Sequence, residues 1–76
     1  MKETIWGMIG CGDVTEKKSG PGLYKAKGSR LKGVYNRTEA KAHDWVKRHR
    51  HGQVYGTVEE LLADEEITAV YIATPP

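Results

Sequence analysis

Short apolar runs alternate with stretches of helical periodicity along the whole chain. Thr4 to Ile9 is an apolar run followed by glycine, the pattern of a strand buried in a parallel sheet. A helix is expected from about Asp13 to Lys18, interrupted by Gly20-Pro21-Gly22. One or two further helical turns are expected around Leu23 to Lys27, with Gly28 closing the segment. Leu31 to Asn36 reads as the second strand, with Gly33 a soft spot inside it. The segment after it has the clearest helical period: Thr38 is placed as N-cap, and Ala42, Trp45, Val46 and His49 share one face. Lys47, Arg48 and Arg50 suit the carbonyl end of that helix, which Gly52 is expected to end. Gln53 to Tyr55 makes a short third strand. Thr57-Val58-Glu59-Glu60 fits a capping box and puts Val58, Leu61 and Leu62 on the buried face of a brief helix. After the acidic turn Asp64-Glu65-Glu66, Ala69 to Ala73 reads as a fourth buried strand, stopped by Pro75-Pro76.

The resulting order, βαβαβαβ, requires parallel pairing through right-handed crossovers. The expected fold class is therefore α/β: a doubly wound parallel sheet with strand order 3-2-1-4, a truncated Rossmann fold. That order leaves Ala69 to Ala73 on an edge where a fifth strand should pair. An apolar edge of this kind recruits another chain, so self-association into a homo-oligomer, or poor stability, is expected.

Composition narrows the function classes. The 76 residues suffice for one small domain near the lower limit for an independent core. A net charge of +2, with cations and anions interleaved, argues against nucleic acid as a partner. No apolar run approaches the roughly 18 residues that cross a bilayer, so no membrane role is expected. The N-terminus lacks the pattern of a signal peptide. With one cysteine, Cys11, there is no intramolecular disulfide, and a cytoplasmic location is the default. Cys11 has no Cys-x-x-Cys partner and reads as a small residue in a tight turn rather than a redox thiol.

The chemistry sits in that turn. Gly10-Cys11-Gly12-Asp13-Val14-Thr15 matches G-x-G-x-x-G except at its last position. It follows a strand, opens a helix, and precedes another strand that ends about 20 residues further on. Gly10 supplies the turn, Gly12 lets the backbone approach a pyrophosphate, and the N–H groups opening the helix bind the anion. Thr15 in place of the third glycine implies looser helix-to-strand packing, its hydroxyl serving a local amide. The second strand ends at Asn36-Arg37-Thr38, followed by Lys41. An NAD site has an acidic residue at this tip. Here Asn36 can bond a ribose oxygen, while Arg37 and Lys41 can pair with a 2′-phosphate. NADP is the expected cofactor, with NAD as the alternative.

These features together resemble the glucose–fructose oxidoreductase, inositol dehydrogenase and rhizopine-catabolism (Gfo/Idh/MocA) oxidoreductases. The resemblance covers the whole chain. It is carried by Gly7-Met8-Ile9-Gly10-Cys11-Gly12, by Asn36-Arg37-Thr38, by Tyr55 to Asp64, and by Ala69-Val70-Tyr71-Ile72-Ala73-Thr74-Pro75-Pro76. Thr15 to Pro21 is similar to one branch. The resemblance implies that Ala73, Thr74 and Pro75 line the cofactor groove beside the nicotinamide-side ribose and phosphate. It implies hydride transfer between nicotinamide and a sugar, cyclitol or related alcohol. The proton is handled by a lysine in a Glu-Lys-Pro motif and by a histidine of a second domain, both beyond Pro76. Residues 1–76 are then the N-terminal portion of a dinucleotide-binding domain, the substrate domain is absent from the chain, and no catalytic residue is assigned within it. The segment alone is expected to be inactive.

Other readings compete with this one. A dinucleotide-sensing or regulatory module without catalysis would use the same front end. An S-adenosylmethionine-dependent enzyme also has a glycine turn after its first strand, but a carboxylate is expected where Arg37 stands. Lys47-Arg48-His49-Arg50-His51 reads as the solvated end of a helix, with Trp45 on the core side. His43, His49 and His51 match no metal-site spacing and are expected to face solvent.

Overall fold

The computed structural model describes residues 3–73, apart from the side chains of Asp13 and Val14. Its strands are β1 (Thr4–Ile9), β2 (Ser29–Tyr35), β3 (Gln53–Val54) and β4 (Ala69–Ile72). Its helices are α1 (Asp13–Lys17), α2 (Ser19–Lys25), α3 (Glu39–His49) and α4 (Val58–Ala63). All the strand pairs are parallel, in the order β3-β2-β1-β4. The expected doubly wound topology is thus present, with β1 and β4 flanking the point where the order reverses.

Alternation along the strands gives each sheet face a different partner. Met8 is fully buried with Leu23 of α2 and with Ala42 and Trp45 of α3, alongside Leu31 and Val34 of β2. Trp6, Tyr24, Val46, Val54 and Tyr71 pack against this cluster. Gly7, paired with Gly33, lies on the opposite face. A methyl group on Gly7 would stand 2.5 Å from Leu61 Cδ2, and one on Gly33 would stand 2.9 Å from the Tyr55 ring. The two glycines flatten that face for Leu61 of α4, Ile67 and the Tyr55 ring, the last two of which give Gly33 a packing role.

The register shifts at this point: Trp6 faces Leu31 and Gly7 faces Gly33, leaving Lys32 as the extra residue of a bulge. Lys32 reaches carboxylates of Asp64 and Glu66 at 2.6 Å each. Tyr55 also donates to Asp64. The acidic turn is thereby fastened to β2. Hydrogen bonding to Lys32 above all, and to Tyr55, holds the Asp64 carboxyl down at about 2.

Several expectations need correction. Gly20-Pro21-Gly22 does not interrupt a helix: α2 runs through it from Ser19, and the break falls at Lys18. Pro21 occupies the first turn, where N–H groups have no intrahelical partner to lose. The close contact at Thr15 is with α2, between two helices. Thr15 is fully buried, and a methyl on Gly20 would stand 1.8 Å from the Thr15 carbonyl oxygen. The Thr15 hydroxyl donates to the Gly12 carbonyl at 2.6 Å, so it serves a carbonyl and not an amide.

Helix α3 ends at His49, before Gly52, with Arg50 in the left-handed conformation and its N–H on the Val46 carbonyl. Thr38 is its N-cap by position but makes no side-chain cap bond, whereas Thr57 caps α4 by accepting from Glu60 N–H at 3.0 Å. β4 is half-exposed rather than buried, and Leu62 of α4 is exposed with Val70 and Ile72. By register with Gly7 and Ile9, Val70 and Ile72 belong to the α4 side of the sheet at its β4 edge. Pro75 and Pro76, expected to stop β4, lie outside the described residues.

Candidate functional site

The carboxyl ends of β1, β2 and β4 meet at a cavity of about 470 Å³ lined by Gly10, Cys11, Gly12, Tyr35, Asn36, Arg37, Thr38, Lys41 and Ala73. Eight of these were expected from the sequence. Tyr35 was not, because the reading of the strand tip began one residue later. The Asp13 and Val14 side chains, and all of Thr74 and Pro75, lie outside the described parts of the chain.

Each wall has a local cause. Gly10 has a φ of 104°, a conformation that glycine adopts freely, and its N–H donates to the Tyr35 carbonyl at 2.8 Å. The chain thus leaves β1 sharply while still tied to β2. Ala73 N–H donates to the Ile9 carbonyl at 2.7 Å and holds the end of β4 against the same turn. Asn36 Oδ1 accepts from the Cys11 N–H at 3.1 Å, and its Nδ2 donates to the Thr38 carbonyl at 3.0 Å. The side chain expected to meet ribose therefore has a partner at both of its functional atoms. Arg37 and Lys41 are exposed, and neither enters an ion pair among the described residues.

Cys11 is partly buried, and burial, aided by the Glu16 carboxylate, pushes its thiol up to about 11. It stays protonated at neutral pH, which fits the reading of Cys11 as a small residue in a tight turn.

A second cavity of about 390 Å³ shares Cys11 and Lys41 and is closed by Glu16, Ala40, Asp44 and Arg48. Arg48 binds both oxygens of Glu16, at 2.7 and 2.6 Å, and also Asp44 at 2.8 Å. His49 Nε2 lies 2.9 Å from Glu16 Oε1, and Tyr24 OH lies 2.8 Å from His49 Nδ1. An ionised carboxylate only accepts, so in neutral His49 the proton is on Nε2 and Nδ1 accepts from tyrosine. His49 also stacks on Trp45 with ring centroids 3.8 Å apart. The expectation that His49 faces solvent is thus wrong: α3 turns it inward with Trp45, and residue 16 was the partner that sequence spacing could not supply. His51 is exposed yet stacks on Tyr24, and His43 is exposed. With Arg48 and His49 turned towards Glu16, the basic run is not a continuous patch. No group of three or more metal-ligating side chains is present among the described residues.

Glu16 is held down at about 2, first by hydrogen bonding to Arg48. A depressed carboxylate contributes stability above its unfolded pKa and loses it as pH falls through the folded value. Stability is therefore expected to fall between about pH 4.5 and 2, where Glu16 and Asp64 become protonated. Glu16→Gln should cost about 1 kcal/mol at pH 7 and flatten that slope, as measured by denaturation across pH. An unchanged slope would refute the role of Glu16.

The sequence profile of the Gfo/Idh/MocA oxidoreductases, with NAD-binding Rossmann fold, matches residues 5–76. Oxidoreductase P35 of Formosa agariphila is 48% identical over 71 residues, which cover 93% of this chain and 22% of that protein. An uncharacterized oxidoreductase, ORF334 of Rhizobium meliloti, is 34% identical over 70 residues, covering 92% of this chain and 21% of that protein. The chain thus spans about a fifth of the length of these relatives. In structure, it superposes on KijD10, a 3-ketoreductase from Actinomadura kijaniata solved with NADP and TDP-benzene, with a TM-score of 0.82. Identity to KijD10 is 23%, covering 92% of this chain and 21% of that one. No described helix is long and apolar enough to cross a membrane.

Proposed function

The chain belongs to the Gfo/Idh/MocA oxidoreductase family with its NAD-binding Rossmann fold, and from that premise we propose that its larger cavity binds the adenosine and pyrophosphate portion of NADP. The observation that carries this reading is that one cavity joins a glycine-walled turn to two cations, Arg37 and Lys41, that have no carboxylate partner among the described residues. A pyrophosphate lies along Gly10 to Gly12. The 2′-phosphate meets Arg37 and Lys41, and Asn36 puts no negative charge in its way. α1 has five residues, so the backbone of the turn, more than a helix dipole, does the binding.

Residues 1–76 then act as the N-terminal portion of a dinucleotide-binding domain. The nicotinamide of the bound cofactor supplies hydride transfer to or from a sugar, cyclitol or related alcohol. This chain's residues hold and orient the cofactor, and the proton-handling groups and substrate pocket belong to the rest of a full-length enzyme. The segment alone is inactive, and its setting is cytoplasmic. The exposed apolar side chains Val70 and Ile72 support self-association through the β4 edge. A monodisperse monomer of the 76-residue chain in sedimentation would contradict that part.

The test of cofactor choice is Arg37→Ala in the full-length protein. Loss of a charge-assisted phosphate contact should weaken NADP about tenfold and leave NAD within about twofold. Equal weakening of both, or of neither, would count against the assignment of Arg37.

A further inference from the structure

Asn36 stands where a ribose ligand was expected, yet its hydrogen bonds point into the protein. Its Oδ1 accepts from the Cys11 N–H in the glycine turn, 25 residues away in sequence, at 3.1 Å. Its Nδ2 donates to the Thr38 carbonyl, at the turn that carries Arg37 and leads into α3, at 3.0 Å. Lys41 N–H donates to that same carbonyl at 3.0 Å. One side-chain amide therefore connects the wall that meets pyrophosphate with the wall that meets the adenosine end.

Resting on the dinucleotide reading, we propose that Asn36 is a positioning residue: it fixes the glycine turn against the β2–α3 turn before any cofactor arrives, rather than serving mainly as a ribose ligand. The chemistry selects asparagine. The bridge needs an acceptor at one end and a donor at the other, about one amide apart. Aspartate keeps the acceptor for Cys11 N–H but turns a second acceptor on the Thr38 carbonyl, where two oxygens repel. Serine is too short to span both turns, and alanine or leucine leaves both backbone groups without their partner. Specificity for a 2′-phosphate follows from the same constraint, because the residue that can bridge the turns is the neutral one.

The two bonds make separable predictions. The Cys11 bond supports the pyrophosphate wall, which NADP and NAD share. The Thr38 bond supports the turn carrying Arg37, which only the 2′-phosphate uses.

In the full-length protein, Asn36→Ala removes both bonds and should weaken NAD about tenfold, and NADP by more than that, in calorimetric titration. In the cofactor-free protein, it should speed hydrogen exchange at the Cys11 amide by at least about tenfold while amides of β1 and β2 keep their protection. Asn36→Asp is the second variant and stands in if the alanine form does not fold. It should keep the slow Cys11 amide, hold or improve NAD, and weaken NADP at least about tenfold.

If Asn36→Ala weakens NAD alone and leaves Cys11 exchange unchanged, Asn36 is a direct ribose ligand and the positioning role is overturned. Unchanged affinities for both cofactors would overturn it as well. If the unaltered protein binds neither NADP nor NAD, the dinucleotide reading itself fails, and faster Cys11 exchange in the variant would still reveal the bridge.

Discussion

Replacing Trp45 by alanine is expected to destabilise the fold by about 3–5 kcal/mol, the range for deleting a large buried aromatic side chain. Trp45 is fully buried. Its ring stacks on His49 and meets Tyr24 edge-on, with centroids 6.3 Å apart. On the remaining side it lies against Gly20, where an added methyl would stand 3.0 Å from Cζ2. The ring thus packs α3 onto α2, and the collapse needed to fill the cavity would disturb both helices together with His49 and its bonds to Glu16 and Tyr24. Small domains hold only about 5–15 kcal/mol in total, and a chain of this size sits low in that range. Urea denaturation should show a large loss of midpoint or a chain already unfolded. A loss below about 1 kcal/mol would mean that Trp45 is not the keystone of the α2–α3 face.

The second large effect concerns Gly12 and falls on binding instead of folding. Gly12 is exposed and lacks the positive φ found at Gly10, Gly28 and Gly52. Among the described residues an added methyl would meet only the Ala73 carbonyl oxygen, at 3.7 Å, an ordinary contact. No described neighbour demands glycine there. What remains is the close approach of a ligand to the backbone, which a methyl would obstruct. Gly12→Ala should therefore leave the melting temperature unchanged or slightly raised, yet cost about 1–3 kcal/mol of dinucleotide affinity. That corresponds to a loss of about five- to 150-fold for NADP and NAD alike. A variant that melts earlier and binds normally would reverse this assignment, making Gly12 a structural glycine.

The contrast between these two residues shows what was legible in the sequence. The strands and their order followed from apolar runs alternating with helical spacing, and the glycine turn followed from its place between β1 and α1. Trp45 was assigned to the core by its spacing with Ala42 and Val46. The misreadings came where a contact between distant residues overrides a local signal. Pro21 looks like a helix breaker, but it falls in the first turn of α2, and the sharp bend at Lys18 brings Gly20 onto the Thr15 carbonyl. His49 looks like part of a solvated basic run until Glu16, 33 residues away, turns it inward. Arg50 takes the left-handed position that Gly52 was expected to supply.

At the site, the sequence pointed to residues that line one cavity but not to their mutual bonds. Gly10 to Gly12, Asn36 to Thr38, Lys41 and Ala73 line one cavity. The bridging of two turns by Asn36 depends on side-chain direction, which residue type and spacing do not encode. Lys32 is a similar case. A charged residue inside β2 gave no hint of a bulge, and the bulge aims it at the acidic turn. Leu62 was assigned to the core by its neighbourhood to Leu61, yet successive helical residues face different directions, and only Leu61 meets the flat surface at Gly7.

The central claim is that the cavity bounded by Gly12 and Arg37 takes a 2′-phosphorylated dinucleotide. Parallel calorimetric titration of NADP and NAD into the unaltered full-length protein tests it most directly. Both should bind, with NADP tighter by about tenfold at low salt. Binding of NAD as tight as or tighter than NADP, or of neither, would contradict the account.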